Sequence, residues 1–323
     1  MFLDAPESLV QVSSALQRHG YRIQPPADKS TLIERLRQTG RNLGPWAQSD
    51  IDAMALRPEV VRIAAADYVR WFRAHLTSEQ QQAVIAKYGE PPGQLMVTHI
   101  SGAPEIVIPQ VVLGPGVSLF PQPEKGGRQD SRLVHDQTIP PSHQYIAFYL
   151  WLQEVYQPHA LVHFGTHGTL ELLPRRAAGM GPDDFSDALL GKLPNINPWI
   201  LDNVAEATLA RRRAYAVLVD HLVPAIEKVE TDRRFAVLHE EVERLIQLEA
   251  GPVREAFRKK IAAALTSTAY ATDLLGKDAQ LPDMNVKELD MRLHALQEEQ
   301  APRSLHVLGQ PPAAARLSGY IAA

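Results

Sequence analysis

Three residues at four-residue intervals could carry chemistry: His163, His167 and Glu171, in the run Val162-His-Phe-Gly-Thr-His-Gly-Thr-Leu-Glu-Leu-Leu-Pro174. Two imidazoles and a carboxylate are the groups a protein uses to hold a borderline metal or to move protons near neutral pH. Gly165 and Gly168 stand among them. Glycine lets the backbone turn sharply, or lets another group approach it closely. A Gly-rich turn that happens to carry two histidines is the plainer alternative, and the regular His-x3-His-x3-Glu spacing weighs against it.

Two familiar chemistries are tested by the neighbouring residues. His163 and His167 have the His-x3-His spacing of zinc hydrolases, but Phe164 occupies the place of the general-base glutamate, and the glycines argue against one regular helix holding both ligands. A phosphate-binding loop is also missing. Gly191-Lys192 and Gly276-Lys277 are followed by Leu193 and Asp278, not by a hydroxyl residue, and Ser186 and Ala271 stand where the first glycine belongs. Chemistry that needs ATP therefore requires another subunit to hydrolyse it. His99, His135 and His143 each read more simply as surface or packing residues; His135 is the stronger candidate, because a neighbouring carboxylate, Asp136, can orient or charge an imidazole. Arg175 and Arg176, and the triplet Arg211-Arg212-Arg213, are suited to gripping carboxylates of an acidic ligand, although a solvated helix face is the commoner reason for such a triplet.

The elements that must position these residues fall into three stretches. Residues 1–92 read as a mostly helical scaffold, with helical spacing from Ser8 to Arg18, Thr31 to Gln38 and Val60 to His75. Trp71 and Phe72 are expected to pack, and Trp46 and Trp71 are core residues more readily than pocket walls. Residues 93–228 change texture: Leu95–Thr98, Ile106–Ile108 and Gln110–Leu113 are short β-like runs, with Pro109 breaking any continuous central strand. A long Gly/Pro/polar loop over 114–141 follows, and Ser142 can cap a buried helix running to about Gln157. Ala160–Phe164 reads as a short buried strand from which the histidine motif opens. This is an α/β arrangement, in which sites form at the C-terminal ends of strands. Asp202-Asn203-Val-Ala-Glu206 resembles a capping box and starts a helix to about Val223. Residues 229–323 form a helical C-terminal region, amphipathic over 231–265 and again over 285–299. The fold class is thus mixed α/β: a helix-rich N-terminal part, a central α/β region with short strands carrying the site, and a helical C-terminal part.

With 323 residues, 45% hydrophobic and 22% charged, the chain can bury a large core. A net charge of −4 and a pI near 6.3 argue against nucleic acid as a dominant partner. There is no cysteine, which excludes disulfides, thiolate metal sites and a thiol nucleophile. No apolar run reaches the length of a membrane span, and Met1–Glu7 lacks the basic start of a signal peptide, so a cytoplasmic location is expected. The 25 prolines exceed the 19 glycines and crowd the segments around the motif, which makes those connections rigid carriers for site residues.

Several long runs, in this order, resemble the large subunit of cobaltochelatase and magnesium chelatase. They are His135-Asp136, Pro140-Pro141-Ser-His143-Gln-Tyr145-Ile-Ala-Phe-Tyr-Leu-Trp-Leu152, the histidine motif through Pro174, Asp187–Pro198, Asp202–Tyr215 and Leu305–Gly309. The resemblance covers most of residues 1–310. It implies a ligase that inserts a divalent metal, Co2+ or Mg2+, into a tetrapyrrole (corrin or porphyrin), driven by ATP hydrolysis in separate AAA+ partner subunits. Glu171 would accept protons from the ring, with His163 and His167 delivering the metal or accepting protons, and His135, His143, Arg175 and Arg176 contacting the tetrapyrrole. The Phe-Gly-Thr-His-Gly wording and the Ala207–Tyr215 run lean toward the magnesium branch; Phe148–Leu152 and the His135-Asp136 loop lean toward cobalt, which also suits histidine ligands better. Leu172 stands where the family usually has an aromatic residue, and Arg175-Arg176 where it has Gly-Lys. The resemblance is to a central portion of a longer subunit, so it also implies a second polypeptide supplying the missing lobes. A non-catalytic tetrapyrrole carrier, or a degenerate fragment of the subunit, is the alternative.

Overall fold

The structure is a computed structural model that describes residues 3–126, 136–165, 168–174, 176, 179–200, 204–221, 233–248, 251–266 and 306–311, with 286, 289, 290 and 293. The chain forms two compact units: 1–223 with 306–311, and 224–305 with 312–323. The first unit includes the segment expected as an N-terminal scaffold together with almost all of the central region. Among the described residues no helix is long and apolar enough to cross a membrane.

The first unit opens with α1 (Ala5–Arg18), capped by the Asp4 carboxylate accepting from the Glu7 N–H, and α2 (Lys29–Thr39), capped in the same way by Asp28. Next come α3 (Gln48–Ala55), β1 (Val61–Ala64), α4 (Ala65–His75) and α5 (Ser78–Tyr88). The helical spacing expected from Val60 to His75 therefore holds only from Ala65. The first residues instead pair antiparallel with β3 (Glu105–Ile108), Val61 opposite Ile108 and Ile63 opposite Ile106. β-Branched residues fit either period, and the distant partner decides. The other edge of this sheet is β2 (Val97–Thr98). Pro109 does break the following run: β4 (Val111–Gly114) leaves that sheet and forms a hairpin with β5 (Val117–Leu119).

The centre of the unit is α6 (His143–Trp151), which starts where Ser142 Oγ accepts from the Tyr145 N–H. All nine of its residues are buried, and Tyr145 through Leu152 belong to one core with Tyr68, Trp71, Phe72, Ile106, Ile108, Leu170 and Leu173. A helix that is apolar all round has no solvent face to keep, so α6 is threaded between α4, β3 and α7 (Phe185–Leu190). It runs on through a π-helical turn, Leu152–Tyr156, and ends at Gln157 in the left-handed region.

β6 (Leu161–Val162), β7 (Asn195–Ile200) and β8 (Val217–His221) make a three-stranded parallel sheet with β7 in the middle. α7 connects the first pair and α8 (Val204–Arg213) the second, so this is a βαβαβ unit. The helix expected to reach Val223 stops at Arg213: Tyr215 takes a φ of 48°, and the chain turns into β8. Asp202 and Asn203, read as its capping box, lie outside the described residues. The second unit contains α9 (Arg233–Gln247) and α10 (Pro252–Thr266). Leu238, Val242 and Leu245 pack there with Ile261, Leu265, Leu289 and Leu293.

Candidate functional site

The motif opens at the C-terminal end of β6. The Leu161 and His163 N–H groups donate to Pro194 and Ile196 carbonyls of the β7 side, which fixes His163 at the end of the strand. Gly165 follows with a φ of +153°. Gly168 provides the close approach: a Cβ there would stand 3.1 Å from Glu171 Oε2 and 3.3 Å from His163 Cδ2. A methyl there would press on both groups, so glycine at 168 lets the carboxylate and the imidazole gather over one stretch of backbone without a shift. Glu171 itself sits in a single 3-10 turn, Leu170–Leu172, and is 1% exposed.

A chain of hydrogen bonds fixes the protonation of His163. Asn195 Nδ2 donates to the Ala214 carbonyl at 2.8 Å, so the Asn195 oxygen is left to accept from His163 Nδ1 at 2.7 Å. His163 Nε2 is then an acceptor, and the Tyr149 hydroxyl donates to it at 2.8 Å. The Tyr149 oxygen accepts in turn from Gln122 Nε2 at 2.8 Å and from the Tyr145 hydroxyl. Tyr145 also meets Thr169 Oγ1 at 3.0 Å, on the residue that begins the Glu171 turn. Burial lowers the His163 pKa, against the opposing effect of its asparagine partners Asn195 and Asn197, and so favours the neutral ring. Burial also raises the pKa of Tyr145 and Tyr149, which stay protonated donors. The arrangement is a directed series of O–H and N–H groups that ends on a neutral imidazole beside a buried carboxylate. It can accept and pass on protons.

Two buried cations complete the surroundings. Lys125 Nζ donates to the Leu172 carbonyl at 2.7 Å and the Asp136 carbonyl at 2.6 Å. Arg213, fully buried at the end of α8, donates to the Leu173 carbonyl and to Gln137 Oε1. Burial lowers the pKa of both, to about 8 for Lys125; attraction to Asp184 and Glu171 opposes this for Arg213.

The residues read from the sequence are thus distributed unevenly. His163 and Glu171 come together as expected; His167, His135 and Arg175 lie outside the described residues. Tyr149 and Asn195 occupy both ring nitrogens of His163, and the other residue read as a metal ligand, His167, lies outside the described residues. His143, read as a ring contact, meets the Tyr68 hydroxyl at 2.7 Å and the Gly89 carbonyl at 2.9 Å with its two nitrogens. It borders a cavity of about 420 Å3 beneath the exposed Trp46, whose walls include neither His163 nor Glu171. The hydrogen-bonded cluster therefore marks the site better than that hollow does. Arg176 spends its guanidinium on Asp183 and Asp184, at 2.8 and 3.0 Å, and is not left open for a ligand carboxylate. Of the arginine triplet, Arg211 and Arg212 are exposed, as a solvated face requires, whereas Arg213 is in the core. Sequence reading passed over Tyr145, Tyr149 and Lys125; the only signal was two tyrosines four apart on a wholly buried helix, where each hydroxyl needs a partner.

The geometry can be set beside known proteins. A family model described as CobN/Magnesium Chelatase matches residues 1–323. The chain is 32% identical over 321 residues to the aerobic cobaltochelatase subunit CobN of Pseudomonas aeruginosa, covering 96% of this chain and 24% of that protein. It is 27% identical to a magnesium-chelatase subunit of Chlorobaculum parvum, covering 95% of this chain and 23% of that protein. Among solved structures, the catalytic subunit of cobaltochelatase from Mycobacterium tuberculosis superposes with a TM-score of 0.64 at 31% identity, covering 98% of this chain and 27% of that one. The chain spans about a quarter of the length of the curated relatives it matches. Similarity over the whole chain, in sequence and in fold, leads to one assignment: the chain belongs to the CobN/magnesium chelatase family.

Proposed function

We propose that this chain is the proton-accepting part of the large, tetrapyrrole-binding subunit of a metal chelatase. It works in a complex whose AAA+ partner subunits hydrolyse ATP. The remaining lobes of the subunit come from the rest of a longer polypeptide or from a separate one, and the location is cytoplasmic. Insertion of a divalent metal displaces the inner N–H protons of the tetrapyrrole, two from a porphyrin and one from a corrin, so protons must be accepted as the four ring nitrogens bind the metal. Glu171 takes one. His163 takes the second proton of a porphyrin at Nε2 by relay: the N–H proton passes to the Thr169 hydroxyl as Thr169 gives its own to Tyr145, Tyr145 to Tyr149 and Tyr149 to the imidazole. His167 is the imidazole left to hand over the metal, and Arg175 is the arginine left for a carboxylate at the ring edge.

The observation that carries this reading is the buried Glu171 carboxylate, brought beside His163 by Gly168 at the end of a parallel strand, in a chain that the family model matches from end to end. Cobalt is favoured as the metal: the cobaltochelatase relatives are the more similar, at 32% and 31% against 27% for the magnesium enzyme. The test is Glu171→Gln in the complete large subunit with its ATPase partners, with metal insertion followed by absorbance. Turnover should fall by at least about 100-fold with ring affinity unchanged. Full insertion by the variant would sink the role of Glu171. A wild-type complex that binds the ring and never metallates it would point to a carrier instead. Titrating the wild-type subunit with a porphyrin and with a corrin identifies the ring.

A further inference from the structure

The turn that carries Glu171 is one helical turn long, and such a turn leaves its last carbonyls without partners of its own. Side chains from three separate segments reach the carbonyls of this turn, that of Leu170 in addition to a long bond from the Leu173 N–H. Ser186 of α7 donates to the Leu170 carbonyl at 2.6 Å, Lys125 to that of Leu172 at 2.7 Å, and Arg213 of α8 to that of Leu173. A neutral donor could satisfy a carbonyl without the cost of desolvating an ion, yet two of the three are cations, 2% and 0% exposed. Each cation also reaches a second segment, Lys125 the Asp136 carbonyl and Arg213 the Gln137 side chain, so both bridge Leu172–Leu173 to Asp136–Gln137.

We propose that Arg213 and Lys125 are positioning residues for Glu171: they set the direction of its carboxylate by holding the two carbonyls that follow it. This rests on Glu171 being the proton acceptor.

The test uses the complete large subunit with its ATPase partners and three variants: Arg213→Gln, Arg213→Lys and Gln137→Ala. Turnover and ring affinity from absorbance are measured for each. Arg213→Gln should lose about tenfold or more in kcat with ring affinity within about twofold, because misdirecting a reacting group costs rate rather than binding. Arg213→Lys should recover part of the loss by restoring a charged donor to the Leu173 carbonyl. Gln137→Ala, at an exposed position that tolerates truncation, should lose about two- to threefold in kcat; it decides the matter if Arg213→Gln does not fold. Wild-type turnover in both Arg213→Gln and Gln137→Ala, or ring affinity falling in step with turnover, overturns the proposal. An active Glu171→Gln would refute the acceptor role itself, whereas an inactive Glu171→Gln beside a fully active Arg213→Gln would refute only the positioning.

Discussion

His143 and His163 stand at two ends of one buried helix and have almost the same immediate surroundings. His143 is the first residue of α6, and His163 meets the same helix two turns on, through Tyr149. Both rings have both nitrogens occupied, one of them by a tyrosine hydroxyl, and burial lowers the pKa of both. They differ in where the bonds lead. At His143 the other nitrogen faces the Gly89 backbone carbonyl, which can only accept, and Phe72 packs on the ring 5.5 Å away. At His163 the tyrosine is itself bonded onward, through Gln122 and Tyr145 to Thr169 and the turn of Glu171. Saturated hydrogen bonds and a neutral ring do not make a site; connection to a second reactive group does.

The largest effect that would break this contrast comes from exchanging each imidazole for a shorter amide. His163→Asn should reduce metal insertion by about 100-fold or more in protein that remains folded. His143→Asn should lower the unfolding free energy by about 1–3 kcal/mol, from the unsatisfied Tyr68 and Gly89 groups, with turnover per folded molecule within about twofold. Denaturant melts and single-turnover assays on both variants check this, and loss of turnover at His143 without loss of stability would end the distinction. A smaller effect sharpens it. Gly168→Ala puts a methyl 3.1 Å from Glu171 Oε2 and 3.3 Å from His163 Cδ2, so it should separate the pair and cut kcat by about tenfold at unchanged ring affinity. His143 has a matching neighbour in Gly93, where a Cβ would stand 2.8 Å from His143 Cδ2, so Gly93→Ala is the control: it should cost stability without rate, and the same outcome in Gly168→Ala would mean that the two histidines are equivalent after all.

The effect least visible in turnover is thermodynamic and concerns Lys125. Burial lowers its pKa from 10.5 to about 8 in the folded protein. Below about pH 8 both states hold the proton and the desolvation penalty is fully present. Between about 8 and 10.5 the unfolded chain binds the proton more tightly, so this contribution makes stability rise with pH. Lys125→Met should remove that rise, changing the difference in unfolding free energy between wild type and variant by up to about 3 kcal/mol across the window. Parallel curves for the two proteins would show that Lys125 does not titrate there.

Much of the site was legible because its determinants are local. The spacing of His163 and Glu171, the need for a close approach at Gly168, the Ser142 cap and the strand before the motif all follow from residues within a few positions of one another. The break at Pro109 was legible for the same reason. What escaped depends on partners far along the chain. Val61–Ala64 is a strand because Glu105–Ile108 lies beside it. Arg213 is buried, unlike Arg211 and Arg212, because α8 ends on it and Leu173 and Gln137 await it; nothing in a run of three arginines selects the third. Lys125 sits in a Gly/Pro-rich stretch that reads as solvated, and its acceptors come from positions 136 and 172. Tyr145 and Tyr149 read as core residues and are core residues; their hydroxyls acquire chemistry from Thr169 and His163.

The contact between Asn195 and the Ala214 carbonyl has a consequence for which substitutions the chain can accept. The orientation of one amide, set by main chain nineteen positions away, decides which edge of His163 is basic. A backbone oxygen does not depend on its own side chain, so position 214 is free to vary among small residues that fit its core without altering the protonation of the histidine. Position 195 has no such freedom. An aspartate there, similar in size, has no N–H to give Ala214 and would draw a second proton onto the imidazole, turning the acceptor into a donor. A scan of every substitution at both positions, scored by metallation, should find one tolerant among small residues and the other confined to asparagine.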